Sequence, residues 1–307
     1  METRTPKTLQ EAVVYYSDIE NCVQLMIRLR WADGVICPRC QSKEVTRIKM
    51  HPLWQCRSCR KQFTPKVGTI MEDSPIGLDK WLMAIWMLTN CKNGVSSMEI
   101  HRAIGVTQKT AWFMLHRIRY ALNNGTIEKM TGIVEADETY IGGKEINKHK
   151  CKRIKAGGGT VGKAAVMGLL ERGGGVVTKS IPDNTGQTIK PEVRAHVTPG
   201  TTLYTDTHGA YNGLGSEYAH EIVNHAVEYV RDNVHTNGIE NFCSLLKRTI
   251  KGTYVAIDVP HLDSYLAEQA FRYNHRKADD TSRFLYATAS TPGKRLTYKD
   301  LTGRNTN

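Results

Sequence analysis

Val134-Glu-Ala-Asp-Glu-Thr-Tyr-Ile-Gly-Gly143 is the stretch on which the reading of this chain turns. Ile133-Val-Glu-Ala-Asp137 opens on β-branched residues, and a glycine pair closes the segment, which predicts a strand. Alternation along that strand sets Asp137 on one face with Glu135 and Thr139, and turns Glu138 to the other. Further strands follow in Ala164–Leu170, Val176–Ile181 and Thr202–Asp206, with helical periodicity at 186–197, 238–250 and 261–274. Strands with helices between and after them predict an α/β layer. Residues 144–163, rich in Lys, Arg, His and Gly, read as a basic loop. It is either a solvated linker or a contact for a phosphate backbone.

Two more acids stand in contexts like that of Asp137. Asp206 ends the apolar strand Leu203-Tyr-Thr-Asp206, just before His208-Gly-Ala-Tyr211, at the rim of a sheet. Glu240 lies in His235-Thr-Asn-Gly-Ile-Glu-Asn-Phe-Cys-Ser-Leu-Leu-Lys-Arg248, where Gly238 opens a helix. Two helical turns put Lys247 on the face of Glu240, with Cys243 and Ser244 between, and Phe242, Leu245, Leu246 and Ile250 on the buried side. Three carboxylates brought together repel one another unless a cation neutralises them. Mg2+, or Mn2+, suits oxygen ligands, and two such ions about 4 Å apart serve in-line displacement at phosphorus. Lys247 is then a grip for a phosphate, with Arg248 beside it.

Upstream the texture changes. Cys37-Pro-Arg-Cys40 and Cys56-Arg-Ser-Cys59, fifteen residues apart, have the spacing of two knuckles that close a tetrahedral S4 site. Strands at 44–49 and 53–55 would form the hairpin of a zinc ribbon, and with all four positions filled by protein its one Zn2+ would be structural. Between Leu78 and Leu122 helices return, broken near Gly94 and Gly105. Val95–Ile104, a turn at Gly105-Val-Thr107, and Gln108–Tyr120 read as a helix-turn-helix, with Ala103 and Ile104 packing toward Val106, Ala111 and Leu115. Gln108, Lys109, Trp112, His116 and Arg119 would then face DNA. The bland alternative is a helical hairpin in a core.

Forty-two Lys and Arg against thirty Asp and Glu leave a net +12, which favours a polyanionic partner, nucleic acid or anionic membrane. No secretory pattern opens the chain, and the apolar Trp81–Leu88 is too short to span a bilayer. Eight cysteines without an export signal fit a reducing cytosol. Cys22, Cys91, Cys151 and Cys243 show no ligand spacing.

Taken together, these motifs resemble the DDE transposases of bacterial insertion sequences, in the group with an N-terminal zinc ribbon and an RNase H-like catalytic domain. The likeness covers nearly the whole chain. It runs through Arg30-Trp-Ala-Asp-Gly34, Cys37–Cys40, Gln62-Phe-Thr-Pro-Lys-Val-Gly68, Asp137–Lys144, Tyr204-Thr-Asp206, Asn237-Gly-Ile-Glu-Asn-Phe242 and Phe271-Arg-Tyr-Asn274. Cys243 stands where the pattern often has Trp. The resemblance implies that Asp137, Asp206 and Glu240 are the metal-binding triad and that Lys247 is the basic residue following the third acid. Some relatives use asparagine as third ligand, so Asn237 or Asn241 enters as a partner or substitute for Glu240. A multidomain α+β chain is implied, with a mixed five-stranded sheet in its α/β catalytic domain. Its expected divisions are an N-terminal helical segment at 1–34, the ribbon at 35–66, the helix-turn-helix region at 67–125, the catalytic domain at 126–276 and a basic tail at 277–307.

The implied chemistry is cleavage at transposon ends and transfer of the freed 3′ hydroxyl to target DNA. The implied partners are double-stranded DNA (terminal inverted repeats and target) and further copies of the chain, with no membrane, in a bacterial cytoplasm at the nucleoid. The competing readings are a non-catalytic DNA-binding regulator and an RNase H-like nuclease that cuts without joining. In the tail, Lys294, Arg295, Lys299 and Arg304 either touch DNA or keep the end solvated.

Overall fold

The structure, a computed structural model, describes residues 5–48, 52–123, 128–143, 145–154, 159–223 and 234–303. Lys144, residues 155–158 of the basic loop and Arg304 lie outside the described residues. The chain forms two compact units, one of residues 1–124 with 275–307 and the other of residues 125–274. In the first, α1 (Leu9–Tyr16) and α2 (Ile19–Arg30) precede the short strands β1 (Val45–Ile48), β2 (Leu53–Cys56) and β3 (Gln62–Phe63). Next come α3 (Leu78–Asn90), α4 (Ser97–Ile104) and α5 (Gln108–Leu122). The second unit holds β4 (Ile133–Ile141), β5 (Ala164–Glu171), β6 (Val176–Ile181), α6 (Gly186–His196), β7 (Thr202–Asp206), β8 (Ala219–Val223), α7 (Asn237–Thr249) and α8 (Leu262–Asn274). The chain then returns to the first unit as α9 (Asp280–Ala289) and α10 (Tyr298–Thr302).

Local chemistry accounts for the first unit's elements. Thr8 and Asp18 cap α1 and α2 by accepting the amides of Glu11 and Glu20. Arg30, at the end of α2, donates to the carbonyls of Pro65 and Val67 and stacks on Trp31 at 4.3 Å. Phe63 meets both Trp31 and Trp54, so an apolar floor supports the antiparallel β1-β2-β3 sheet. Ser96 and Glu99 form a reciprocal capping box on α4, and Gly105 ends that helix at φ 65°, which suits a residue without Cβ. Ile100, not Ala103, is the buried residue of α4; Ala103 is exposed.

The end of the chain is where sequence and structure part. Residues 280–289, expected within a basic tail, form a helix whose Phe284 is fully buried against Tyr16 and Trp86 at ring distances of 5.5 and 5.1 Å. The following segment lies along α5. Arg117 donates to the Leu296 carbonyl, Phe113 meets Tyr298 edge-on, and Lys294 caps the helix through the carbonyls of Ala121 and Asn123. Arg295 pairs with Asp73 at 2.6 Å. Lys294 and Arg295 are thus occupied within the fold, while Lys299 is exposed.

In the second unit five strands pair in the order β6-β5-β4-β7-β8, the mixed sheet that the resemblance implies. The pairs β4–β5 and β5–β6 are antiparallel, and β4–β7 and β7–β8 are parallel. Val134, Ala136, Met167 and Leu203 bury one face with Ile189 and Val193 of α6. Val166, Leu170 and Val176 bury the other with Ile239, Phe242 and Leu246 of α7 and Leu266 of α8. Those α7 positions fall on one stripe of a 3.6-residue repeat, which fixes which side of the helix looks outward. Among the described residues, no helix is long and apolar enough to cross a membrane.

Candidate functional site

Two constellations stand out, one in each unit. In the first, the four thiols of Cys37, Cys40, Cys56 and Cys59 lie within 4.8 Å of one another. The separations Cys37–Cys59 and Cys40–Cys56 are 3.7 and 3.6 Å. A tetrahedron with Zn–S bonds of about 2.3 Å has edges of about 3.8 Å, so the donor set fits one zinc ion. Backbone turns hold the knuckles: the Cys37 amide bonds the Ser42 carbonyl, and the Cys56 amide the Lys61 carbonyl. No other group of three or more metal-ligating side chains among the described residues closes this tightly.

The second constellation sits at one end of the mixed sheet. Parallel pairing matches Val134 to Leu203 and Glu135 to Tyr204. Carried two residues on, this register sets Asp137 opposite Asp206, on neighbouring strands about 4.8 Å apart. Asp137 is also paired with Gly168 of β5, and there the missing side chain matters: a Cβ on Gly168 would lie 2.6 Å from Ile239 Cδ1. Helix α7 packs over that position, which brings Glu240, one residue beyond Ile239, to the same face. Thr236 donates its hydroxyl to Glu240 at 2.8 Å. Lys247 and Arg248 are exposed two turns on, and Cys243 is buried between them and the sheet. Asn237 and Asn241 are exposed, and Asn241 lies a residue's rotation of about 100° around the helix from Glu240.

Charge crowding marks this face. The Asp137 carboxyl is pushed up to about 6 by burial first and then by the charges of Asp206 and Glu240, with Lys247 pulling the other way. Asp206 and Glu240 both act on Asp137, yet the oxygens of the three acids do not close on a single point. The donor set is all carboxylate oxygen, which fits a hard divalent ion. Glu138, which sequence alternation sets on the opposite face, proves to belong to the neighbourhood. Burial pushes its carboxyl up to about 7, aided by the charges of Asp137 and Asp206, although it accepts a hydrogen bond from Tyr211. The acidic doublet in the middle of β4 was the available signal. His208 donates its amide to Asp206 Oδ1 at 2.9 Å and so shapes the turn after the second acid.

The residues expected to face DNA from α5 divide. Gln108 and Lys109 are exposed and Trp112 is half-buried, but His116 and Arg119 are buried. From Met114 to Arg119 every residue of α5 is inside, so this stretch is a central helix of its unit and has no outward polar face there. Gln108 bonds Ser97 at 2.8 Å, and Lys109 lies 5.1 Å from the Tyr298 ring. In the basic loop, Glu145 gathers the Lys148 ammonium and the Ile154 amide, giving the described part a local hub.

Comparison with known proteins matches a part of each unit. Residues 129–274 match the family model described as an ISXO2-like transposase domain, and residues 17–62 match a transposase zinc-ribbon domain. The chain is 29% identical over 274 residues to an uncharacterized protein in transposable element ISH50 of Halobacterium salinarum, covering 83% of this chain and 92% of that one. It is 33% identical over 101 residues to an uncharacterized transposase-like protein of Haemophilus influenzae, covering 33% of this chain and 81% of the relative. A solved simian T-cell lymphotropic virus intasome, in complex with a PP2A regulatory subunit, aligns with 60% of this chain and 63% of its own at 17% identity. Its TM-score of 0.27 is too low to inform the site.

Proposed function

Because this chain belongs to the insertion-sequence transposases that join a zinc ribbon to an ISXO2-like domain, we propose that it cleaves transposon ends and transfers them to target DNA, with Asp137, Asp206 and Glu240 as ligands of two Mg2+ or Mn2+ ions. The observation that carries this reading is the crowding of the three acids: two in matched register on parallel strands, the third on a helix docked across them. Such an arrangement favours neutralising cations. When bound, the ions supply an activated oxygen nucleophile and stabilise the departing one.

The chain's own residues do the rest. Lys247 and Arg248, exposed on the helix that carries Glu240, neutralise the phosphates flanking the scissile bond. The first reaction adds a water oxygen to phosphorus and breaks its bond to the 3′ oxygen, which leaves with a proton as the transposon's 3′ hydroxyl. The second forms a bond from that 3′ oxygen to a target phosphorus and releases the target's own 3′ hydroxyl. The four cysteines hold one structural Zn2+, and the first unit binds the terminal repeats through the ribbon and the exposed start of α5 at Gln108 and Lys109. Two ends must be held at once, so the active form is an oligomer, acting at the bacterial nucleoid.

The test is incubation of the purified chain with labelled end DNA, target DNA and Mg2+ or Mn2+. Joined products are expected. Cutting without joining would make it a nuclease, and binding without cutting a regulator. Asp137→Asn and Asp206→Asn should abolish both steps while leaving end binding intact; unchanged cutting by both variants would refute the site.

A further inference from the structure

One buried carboxylate near the acids has no part in the chemistry above. Glu135 is 1% exposed and lies on the sheet face of Asp137, two residues upstream. A buried carboxylate is costly unless both oxygens are paired, and here both are. Oε1 accepts Arg172 Nε at 2.7 Å, and Oε2 accepts the backbone amide of Ile239 at 2.9 Å. Glu135 is therefore taken up by the fold.

What these bonds join is more telling than their strength. The Ile239 amide belongs to the first turn of α7, one residue before Glu240. Such amides need an acceptor from outside the helix. The N-cap Thr236 supplies none, since its hydroxyl goes to the Glu240 side chain instead. Arg172 extends the link, donating to the His235 carbonyl at 2.7 Å and lying over the Tyr204 ring at 4.8 Å. Tyr204 is two residues before Asp206. The Glu135–Arg172 pair therefore touches all three acid-bearing elements, each within two residues of its acid. Space is tight as well: a Cβ on Gly238 would lie 2.7 Å from Glu135 Oε2.

We propose that Glu135, with Arg172, is a positioning residue that registers β4, β7 and α7 so that Glu240 reaches the metal-holding face shared by Asp137 and Asp206. The inference rests on the metal-binding role proposed for those acids. A buried ion pair adds little net stability over an apolar replacement. Its effect here is geometric: it fixes where the third ligand begins.

The test compares the full-length parent with Glu135→Gln and Gly238→Ala, using Mn2+ as probe. Gln keeps the volume, but its amide group cannot accept from both Arg172 and Ile239. Ala at 238 favours the helix, and its Cβ presses on the Glu135 carboxylate and, at 3.2 Å, on Leu170 Cδ2. Mn2+ affinity is read by electron paramagnetic resonance on the free protein, and end cleavage is read as kcat and KM. Both variants should bind Mn2+ about tenfold or more weakly, the range for residues that orient metal ligands. Cleavage kcat should fall in step, and KM for end DNA should stay at the parent's value. If Glu135→Gln fails to fold, judged by circular dichroism and by the thermal transition of the β4–β8 unit, Gly238→Ala decides alone. Parental Mn2+ affinity in folded variants overturns the positioning role. An Asp137→Asn control separates the two levels: parental Mn2+ binding and cutting in that control would sink the assignment of the acids, and their loss there would leave it standing.

Discussion

Replacing Asp137 by Asn should make the metal-free protein more stable, an unusual outcome at a buried, hydrogen-bonded region. The folded-state carboxyl stands at about 6 against an ordinary 3.8, because burial and the charges of Asp206 and Glu240 oppose its ionisation. The folded state then binds more protons than the unfolded one across that window, so stability falls as pH rises from about 4 to about 6. Above both values the full penalty applies, about 3 kcal/mol at 1.36 kcal/mol per pH unit. Asparagine has no charge to repel and escapes it. For a unit of this size, about 3 kcal/mol corresponds to a rise of roughly 6–12 °C in Tm. Differential scanning calorimetry from about pH 4 to about pH 8, with zinc retained and other divalent ions removed, reads the parent and Asp137→Asn side by side. Their difference should vanish at the acid end and grow toward pH 8. Mn2+ should then raise the parent's Tm far more than the variant's. A variant no more stable than the parent at pH 8 without metal would refute the crowding argument.

Phe284→Ala should destabilise the first unit by about 3–5 kcal/mol, because it empties a site enclosed by Tyr16 and Trp86; chemical denaturation measures it, and a loss below about 1 kcal/mol would return α9 to the status of a tail. Cys56→Ser should abolish stoichiometric zinc and unfold the ribbon while leaving the β4–β8 unit's own transition in place. Metal analysis with calorimetry checks this, and retained zinc would refute the four-thiol site. Val255, exposed at the end of the π-helical turn after α7, sits at φ 63°, a conformation a β-branched residue rarely adopts. Val255→Gly should therefore stabilise by about 1 kcal/mol in denaturant unfolding, and a loss of stability would show that the valine side chain contributes more than its strain costs.

Much of the second unit was legible because its signals are local. β-branched runs bounded by glycine set β4, β6 and β7 within a few residues, and helical periodicity set α6, α7 and α8. Cysteine spacing found the four thiols outright. The fifth strand, Ala219–Val223, was not legible: it is a short edge strand with mostly exposed positions, so it carries no apolar alternation. α9 escaped for a different reason. Its Phe284 is anchored by residues some two hundred or more positions away, and no local window reports a partner at Tyr16 or Trp86. The same blindness affected α5, where His116 and Arg119 read as an outward polar stripe although the helix is enclosed along that length. Glu135 was visible only as a neighbour of Asp137. Its tie to Ile239, 104 residues away, appears only once α7 is docked.

The central claim is that three acids distant in sequence hold divalent metal together. It is tested most directly by crystals of the full chain grown with Mn2+ and measured at the manganese absorption edge. Anomalous peaks bounded by the carboxylates of Asp137, Asp206 and Glu240 are the predicted result, lost in Asp137→Asn. Crystals with manganese elsewhere, or with none between these side chains at saturating Mn2+, would contradict the account.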